Sequence, residues 1–313
     1  MLNLGIGLGS DNFVPPEPPL FGQKFGAAPV SGYSLRKLST AYKGSCVRVR
    51  RKNDGTESDI GFNASNELDV SALQEFARIN GGATFTKCTV TKWYDQIGSN
   101  DLVQATAGNQ PAIFDGASGS TILLNSKPCI EFTASTQHHL ESSTEYSASA
   151  TASTVFFVAQ TTQKSGSGNF ISMINFRNIF RMTLAPSGLS PDNYSKYSIS
   201  TNRVSAKYVR FLTGQTGDHD QQTAMITWDG STQDSGTSVD SVKLFLNGSS
   251  QTQTFATSGF GTLASGNILN GHSGGNDGQS GDAKWQEVVV YTNDRSSDAS
   301  SMHSDANDFY SIT

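Results

Sequence analysis

Residues 33–104 decide the fold class. They read YSLRKL (33–38), CVRVRR (46–51), ESDIGF (57–62) and TKWYDQIGSNDLVQ (91–104). In the second block Val47 and Val49 alternate with Arg48 and Arg50, so one strand face is apolar and the other charged. Alternation of that kind predicts half-buried strands. One helix interrupts them, VSALQEFARI (70–79), with Leu73, Phe76 and Ala77 on one face. Asp69 or Ser71 can cap it, and Gly81-Gly82 stops it. Residues 88–94 then form a strand, and DQIGSND is a turn-rich loop.

The pattern continues downstream. TVFFVAQT (154–161) is a continuous apolar run, as expected of a strand buried on both faces. NFISMINF (169–176), IFRMTLA (179–185), TAMITWDG (223–230), SVKLFLNGS (241–249) and WQEVVVY (285–291) are further strands. Asn247-Gly248 is a tight-turn signal, with QTQTFAT (251–257) as the predicted hairpin partner. At the C-terminus Met302, Ala306, Phe309 and Tyr310 recur at helical spacing, with Ser297 as cap.

Residues 1–30 differ. Gly5, Gly7 and Gly9 alternate with Leu4, Ile6 and Leu8, and VPPEPPLFGQKFGAAP follows. Pro15, Pro16, Pro18 and Pro19 favour an extended path, and Leu20, Phe21 and Phe25 are too apolar to hang in water. The segment either folds back on its own domain or docks on another protein. It is taken as an extended anchoring arm, with the sandwich spanning 31–313.

Composition excludes several classes. Hydrophobic residues are 35%, charged residues 16%, and net charge is -5. With 10% aromatics this is a folded chain with a polar, nearly neutral surface. The acidic balance argues against nucleic acid, so the run 48–52 is read as a solvated face. No run approaches 18 apolar residues and no leader is evident, so no membrane span is expected. Cys46, Cys88 and Cys129 are odd in number, widely spaced and read as buried thiols.

The blocks at 33–104, AMITWDG with VKLFLNGS, and ILNGHSGGNDGQSGDAKWQEVVVYTNDRSSD occur in an order that resembles the concanavalin A-like, laminin-G-like jelly roll of bacteriophage virion proteins. It is also similar to the catalytic domain of α-L-arabinofuranosidase B. The expected fold is therefore all-β: a jelly-roll sandwich with a short early helix, a C-terminal helix and an extended N-terminal arm. The phage resemblance implies a structural or adhesive virion protein, a head decoration, fibre or tail-associated protein. It would be made in a host cytoplasm, anchored by the arm to capsid or tail proteins, and homo-oligomeric, with a trimer as the analogue. Weak binding of cell-surface glycans fits the polar loops. The alternative is an arabinofuranosidase-like glycoside hydrolase or a secreted lectin-like module.

The arabinofuranosidase resemblance implies a retaining pair of carboxylates, roughly 5–5.5 Å apart. One belongs in a Gly-rich loop before the last core strand. The matching loop, GHSGGNDGQSGDAKW (271–285), places Asn276 at the acid's position and Asp277 one residue later. An amide cannot protonate a leaving group, and residues 151–240 contain no Glu. The family's paired cysteines are missing as well. The expectation is accordingly no enzyme and no catalytic residue. Trp93, Asn276, Asp277 and Asp282 form a glycan or calcium candidate. Trp93-Tyr94-Asp95-Gln96 is first a fold element, and only secondarily a sugar platform. The three loop oxygens suit Ca²⁺, but no metal site or other cofactor is expected. His138-His139 and Asp218-His219-Asp220 match no metal spacing. Glu287 is read as a structural carboxylate.

Overall fold

The computed structural model describes residues 18–25, 29–142, 152–162, 171–176, 180–184, 196–201, 207–212, 219–229, 242–256, 268–270 and 282–312. The chain enters through a single helical turn, α1 (Phe21–Lys24), into β1 (Ser31–Ser34), β2 (Val47–Arg51) and β3 (Glu57–Ile60). Helix α2 (Val70–Ala77) leads to β4 (Cys88–Trp93), β5 (Leu102–Val103), β6 (Ala112–Asp115) and β7 (Ser120–Thr121). A small hairpin, β8 (Leu123–Leu124) and β9 (Lys127–Pro128), precedes β10 (Ile130–Phe132) and β11 (Leu140–Ser142). Then come β12 (Ser153–Thr162), β13 (Ile171–Phe176), β14 (Phe180–Leu184), β15 (Lys196–Thr201) and β16 (Lys207–Leu212). The last strands are β17 (His219–Trp228), β18 (Val242–Leu246), β19 (Ser249–Ser250), β20 (Thr252–Ala256), β21 (Ile268–Asn270) and β22 (Asp282–Tyr291). Helix α3 (Ala299–Tyr310) closes the chain.

Pairing resolves these strands into an all-β sandwich. One layer runs β3-β2-β4-β6-β10-β22-β12-β17-β18-β19, with β1 sharing the β22 edge with β10. The other runs β5-β11-β21-β13-β14-β15-β16-β20. The β4–β5 pairing joins them, so one ladder wraps both layers. All these pairs are antiparallel, both between sequence neighbours such as β13 and β14 and between distant strands such as β12 and β22.

The central strands are apolar on both faces for a physical reason. Val155, Phe157 and Ala159 of β12 point into the main core with Trp285, Val288, Val290 and Phe211. Phe156 and Val158 point the other way, into a second core with Val289, Tyr291 and Met225. That outer face is covered by Met302, Ala306 and Tyr310 of α3 and by Phe21. A strand alternates its side chains, so a continuous apolar run needs two cores.

The arm expectation is corrected here for its described part. Phe21 is 2% exposed and stacks on Phe25 at 5.0 Å and Phe156 at 5.1 Å. Leu20 and Phe25 are half-buried, Pro18 and Pro19 are exposed, and Pro15 and Pro16 lie outside the described residues. The outer core needs a lid, and burying one Phe there contributes ~1.5–3 kcal/mol. Phe21 is therefore spent on its own domain. Two smaller differences follow from local geometry. The hairpin partner of β18 is only Ser249–Ser250 of β19, while the predicted partner QTQTFAT supplies β20, which joins β16 in the opposite layer. Helix α2 stops at Ala77, before the glycines, where Arg78 turns extended (ψ 133°).

One ion pair fixes the assembly. Arg36 donates to Glu287 from Nε (2.7 Å) and Nη2 (2.9 Å), and from Nη1 to Asp305 (3.0 Å). Ser34 Oγ (2.8 Å) and Tyr310 OH (3.1 Å) donate to the same Glu287 Oε2. Glu287 is wholly buried. Replacing Arg36 by Met should strand that carboxylate and cost ~3–5 kcal/mol in urea unfolding. The double variant Arg36→Met/Glu287→Gln should recover at least ~1 kcal/mol of it. Equal stability of the two variants would show that the pair is not coupled.

Candidate functional site

The residues sort into three groups by where β22 places them. At its C-terminal half lies the Glu287 cluster, sealed by α1 and α3. All the carboxylate's bonds are structural, so it is no catalytic acid. Burial alone would lower the Arg36 pKa, but the charge and hydrogen bonds of Glu287 outweigh it and raise it. Burial, reinforced by the Glu287 charge, raises Tyr310 well above the usual phenol range.

The second group is the Trp93–Gln96 tetrad. Trp93 is 0% exposed and packs on Tyr33, with centroids 6.1 Å apart. No ring face is open to a sugar, which corrects its role as a glycan platform. Asp95 accepts from Ser31 Oγ (2.8 Å) and from the backbone N–H groups of Gly32 (2.9 Å), Ile97 (3.1 Å), Gly98 (3.0 Å) and Asn100 (3.2 Å). Gln96 bridges the carbonyls of Ser34 and Arg36 to the N–H of Leu38. The tetrad builds the fold.

The third group gathers at the N-terminal end of β22. Asp282 opens the strand and is exposed; Asn276 and Asp277 lie outside the described residues. Lys284 sits opposite Glu131 of β10, with Nζ 3.8 Å from Oε1. The two line an open groove of about 450 Å³ with Lys87, Asp115, Ser118, Ser120, Thr121, Ile122 and Leu123. Asp115 accepts from the N–H groups of Ala117 (3.1 Å) and Ser118 (3.2 Å). The Ser118 hydroxyl and those amides hold its carboxyl below the ordinary carboxylate range. It is thus an acceptor, not a proton donor. On the other side of β22, Thr161 of β12 pairs with both His219 of β17 and Ala283. Asp220, exposed, is therefore rooted on β17, one strand removed from the start of β22 across β12.

The histidines are not metal ligands in any described cluster. Among the described residues no group of three His, Cys, Asp or Glu is placed to hold a metal. His138 Nδ1 accepts from the Thr133 N–H (3.1 Å). Burial, reinforced by the charge of Lys87, pulls its pKa down to about 4. His303, from α3, shares a 2.6 Å bond with Thr223 Oγ1, and burial takes it to about 4 as well. The three cysteines are free and buried. Burial pushes Cys88 and Cys129 up to about 12 and Cys46 well above its usual value, so all stay protonated thiols.

The family model of the alpha-L-arabinofuranosidase B catalytic domain matches residues 24–170. No curated protein matches the chain. The fold is similar to that of a GH54 α-L-arabinofuranosidase soaked with a cyclic sulfate inhibitor: 16% identity, TM-score 0.59, 89% of this chain and 62% of that one. A Glu-to-Gln mutant of such an enzyme, soaked with 4-nitrophenyl α-L-arabinofuranoside, gives the same values. An arabinofuranosidase complexed with arabinofuranosyl-α-1,2-xylobiose is 15% identical, with a TM-score of 0.57 over the same shares of the two chains. This chain thus spans 62% of the length of those enzymes. A distant, jelly-roll-like relation to the arabinofuranosidase B catalytic domain is established.

These matches correct two expectations. The structural or adhesive phage-particle protein and the absence of enzymatic activity are both overturned, because the matching model is that of a catalytic domain. The particle partners and virion placement lose their premise with it. The departures from the family's pattern on which the expectation rested, Asn276 at the acid's position and no Glu in residues 151–240, do not outweigh a catalytic-domain match over residues 24–170.

The histidine shifts set a pH dependence. Both imidazoles are held below their unfolded value of about 6.5, so the stability they confer is complete above it and is lost as pH falls towards about 4. The melting temperature should decline across that window. His138→Asn, which keeps an acceptor for Thr133, should flatten the decline; an unchanged slope would rule His138 out.

Proposed function

We propose that this chain is the sandwich domain of a glycoside hydrolase acting on α-L-arabinofuranosidic linkages. The observation that carries the reading is the catalytic-domain model matched over residues 24–170, with the related fold continuing over 89% of the chain. The end of the sandwich where β22 begins supports it. There the Gly-rich segment 271–281 re-enters the sheet at Asp282, next to a polar groove.

The roles follow from the carboxylates this chain has. Asp277 is the general acid, one residue beyond the Asn276 that occupies the family's position. The nucleophile or base comes from the aspartates of residues 151–240, since that stretch has no Glu. Asp220 is nominated, because it is exposed at the start of β17 and its strand flanks β12 on the side opposite β22. The acid protonates the glycosidic oxygen while the second carboxylate attacks the anomeric carbon or activates water.

The test is release of 4-nitrophenol from 4-nitrophenyl α-L-arabinofuranoside. Turnover is expected, with Asp277→Asn and Asp220→Asn each lowering kcat by ~10²–10⁴. A blank assay at high protein concentration sinks the hydrolase reading. Full activity in both variants would keep the enzyme and discard these two residues.

A further inference from the structure

The groove at Lys87, Asp115, Glu131 and Lys284 is used by neither the fold's ion-pair clamp nor the proposed acid. Its volume of about 450 Å³ falls within the ~300–1,000 Å³ of small-molecule sites. Two features show that it is a built surface. The turn after β6 is pressed against the segment that bears Lys87. A Cβ on Gly116 would lie 2.5 Å from the backbone nitrogen of Lys87, and one on Gly119 (φ +66°) 2.7 Å from the Phe85 ring. Only glycine permits that approach, so the turn cannot move in further, and Asp115 is locked by its own turn amides. The wall therefore stands in place without a ligand, which removes an ordering cost from binding.

The chemistry of the lining selects the ligand. Two ammonium groups face two carboxylates, so the groove carries no net charge and does not concentrate anions. Lys87 forms no ion pair among the described residues, and the Glu131–Lys284 contact is long at 3.8 Å. The lining thus holds both donors and acceptors, joined by the hydroxyls of Ser118 and Ser120. Leu123 is 49% exposed beside them, a rare large apolar side chain left in water among the described residues. A lining of both donors and acceptors with no net charge, beside one apolar surface, matches a neutral saccharide, which presents vicinal hydroxyls and a C–H face.

We infer that this groove is a saccharide-binding subsite that holds the neutral main chain of a branched glycan. Lys87 and Lys284 donate to its hydroxyls, Asp115 and Glu131 accept from them, and Leu123 lies under a ring face. Lys284 is two residues beyond Asp282, so the groove lies at the end of β22 that Asp282 begins. The placement of a branch there rests on the hydrolase reading; the binding itself does not.

The test uses unbranched probes, xylohexaose and 1,5-linked arabinohexaose, titrated into the full ¹⁵N-labelled chain. Chemical-shift changes are expected in residues 115–123 and at Lys284, saturating with at least one probe. Lys87→Ala and Glu131→Gln should each weaken binding about tenfold, as loss of a charge-assisted hydrogen bond does. Ser120→Ala, a surface change that should fold normally, should weaken it less. No shifts in these residues with either probe, or equal affinity in all three variants, overturns the inference. Binding that persists in a chain with no arylglycosidase activity supports the groove and overturns only the hydrolase reading.

Discussion

The Arg36–Glu287 pair is the constraint on which the rest depends. A carboxylate at 0% exposure on the central strand is costly unless every lone pair is used. Here four donors reach it, two from Arg36 and one each from Ser34 and Tyr310. The guanidinium is itself caged by the rings of Phe21 (4.8 Å), Phe309 (4.7 Å) and Tyr310 (5.3 Å). Lys24 and Arg36 both bind Asp305, so α1 and α3 meet at one point. The cluster thus couples the chain's beginning, its central strand and its end. Its net contribution is specificity more than raw stability, since an apolar replacement would bury as well.

That clamp matters for the opposite end of the same strand. From Glu287 to Asp282 is five residues, about 17 Å at strand rise. Both flanks of this span are paired, by β12 on one side and by β1 and β10 on the other. The root of the 271–281 segment and the Lys284 wall of the groove are therefore held by a central strand buried along most of its length. Sites carried on such elements keep their geometry better than sites carried by loops alone.

Much of the fold was legible because it rests on local pattern. TVFFVAQT read as a doubly buried strand and WQEVVVY as a further strand, and the two cores explain both apolar runs. Asp69 caps α2 by accepting from the Ala72 N–H (2.9 Å), one of the two caps foreseen. Asn247 and Gly248 take the positive φ values (46° and 84°) that the turn required. The C-terminal helix buries Met302, Ala306 and Tyr310 as its spacing demands, although its N-cap is Asp298 rather than Ser297. What stayed hidden depended on register. Lys284 and Glu131 are 153 positions apart and meet only because Ile130 pairs with Trp285. No periodicity encodes that meeting. Phe21 was ambiguous for a related reason: an apolar residue after prolines looks the same whether its partner is another protein or its own outer core.

Under the proposed hydrolase reading, strand positions bear on which aspartate can pair with Asp220. Asp220 and Asp282 are rooted on β17 and β22, the two neighbours of β12. Strands lie about 4.8 Å apart, so these two backbones are separated by roughly 10 Å or more. A retaining pair needs its carboxyls at about 5–5.5 Å, and an inverting pair at about 6.5–9.5 Å. Asp282 is fixed in the ladder and cannot close that gap by moving its backbone. Asp277 precedes it by five residues, a chain length that spans up to about 17 Å. Chain length gives Asp277 the reach that a retaining separation from Asp220 requires, whereas the ladder-fixed Asp282 suits only the wider inverting separation.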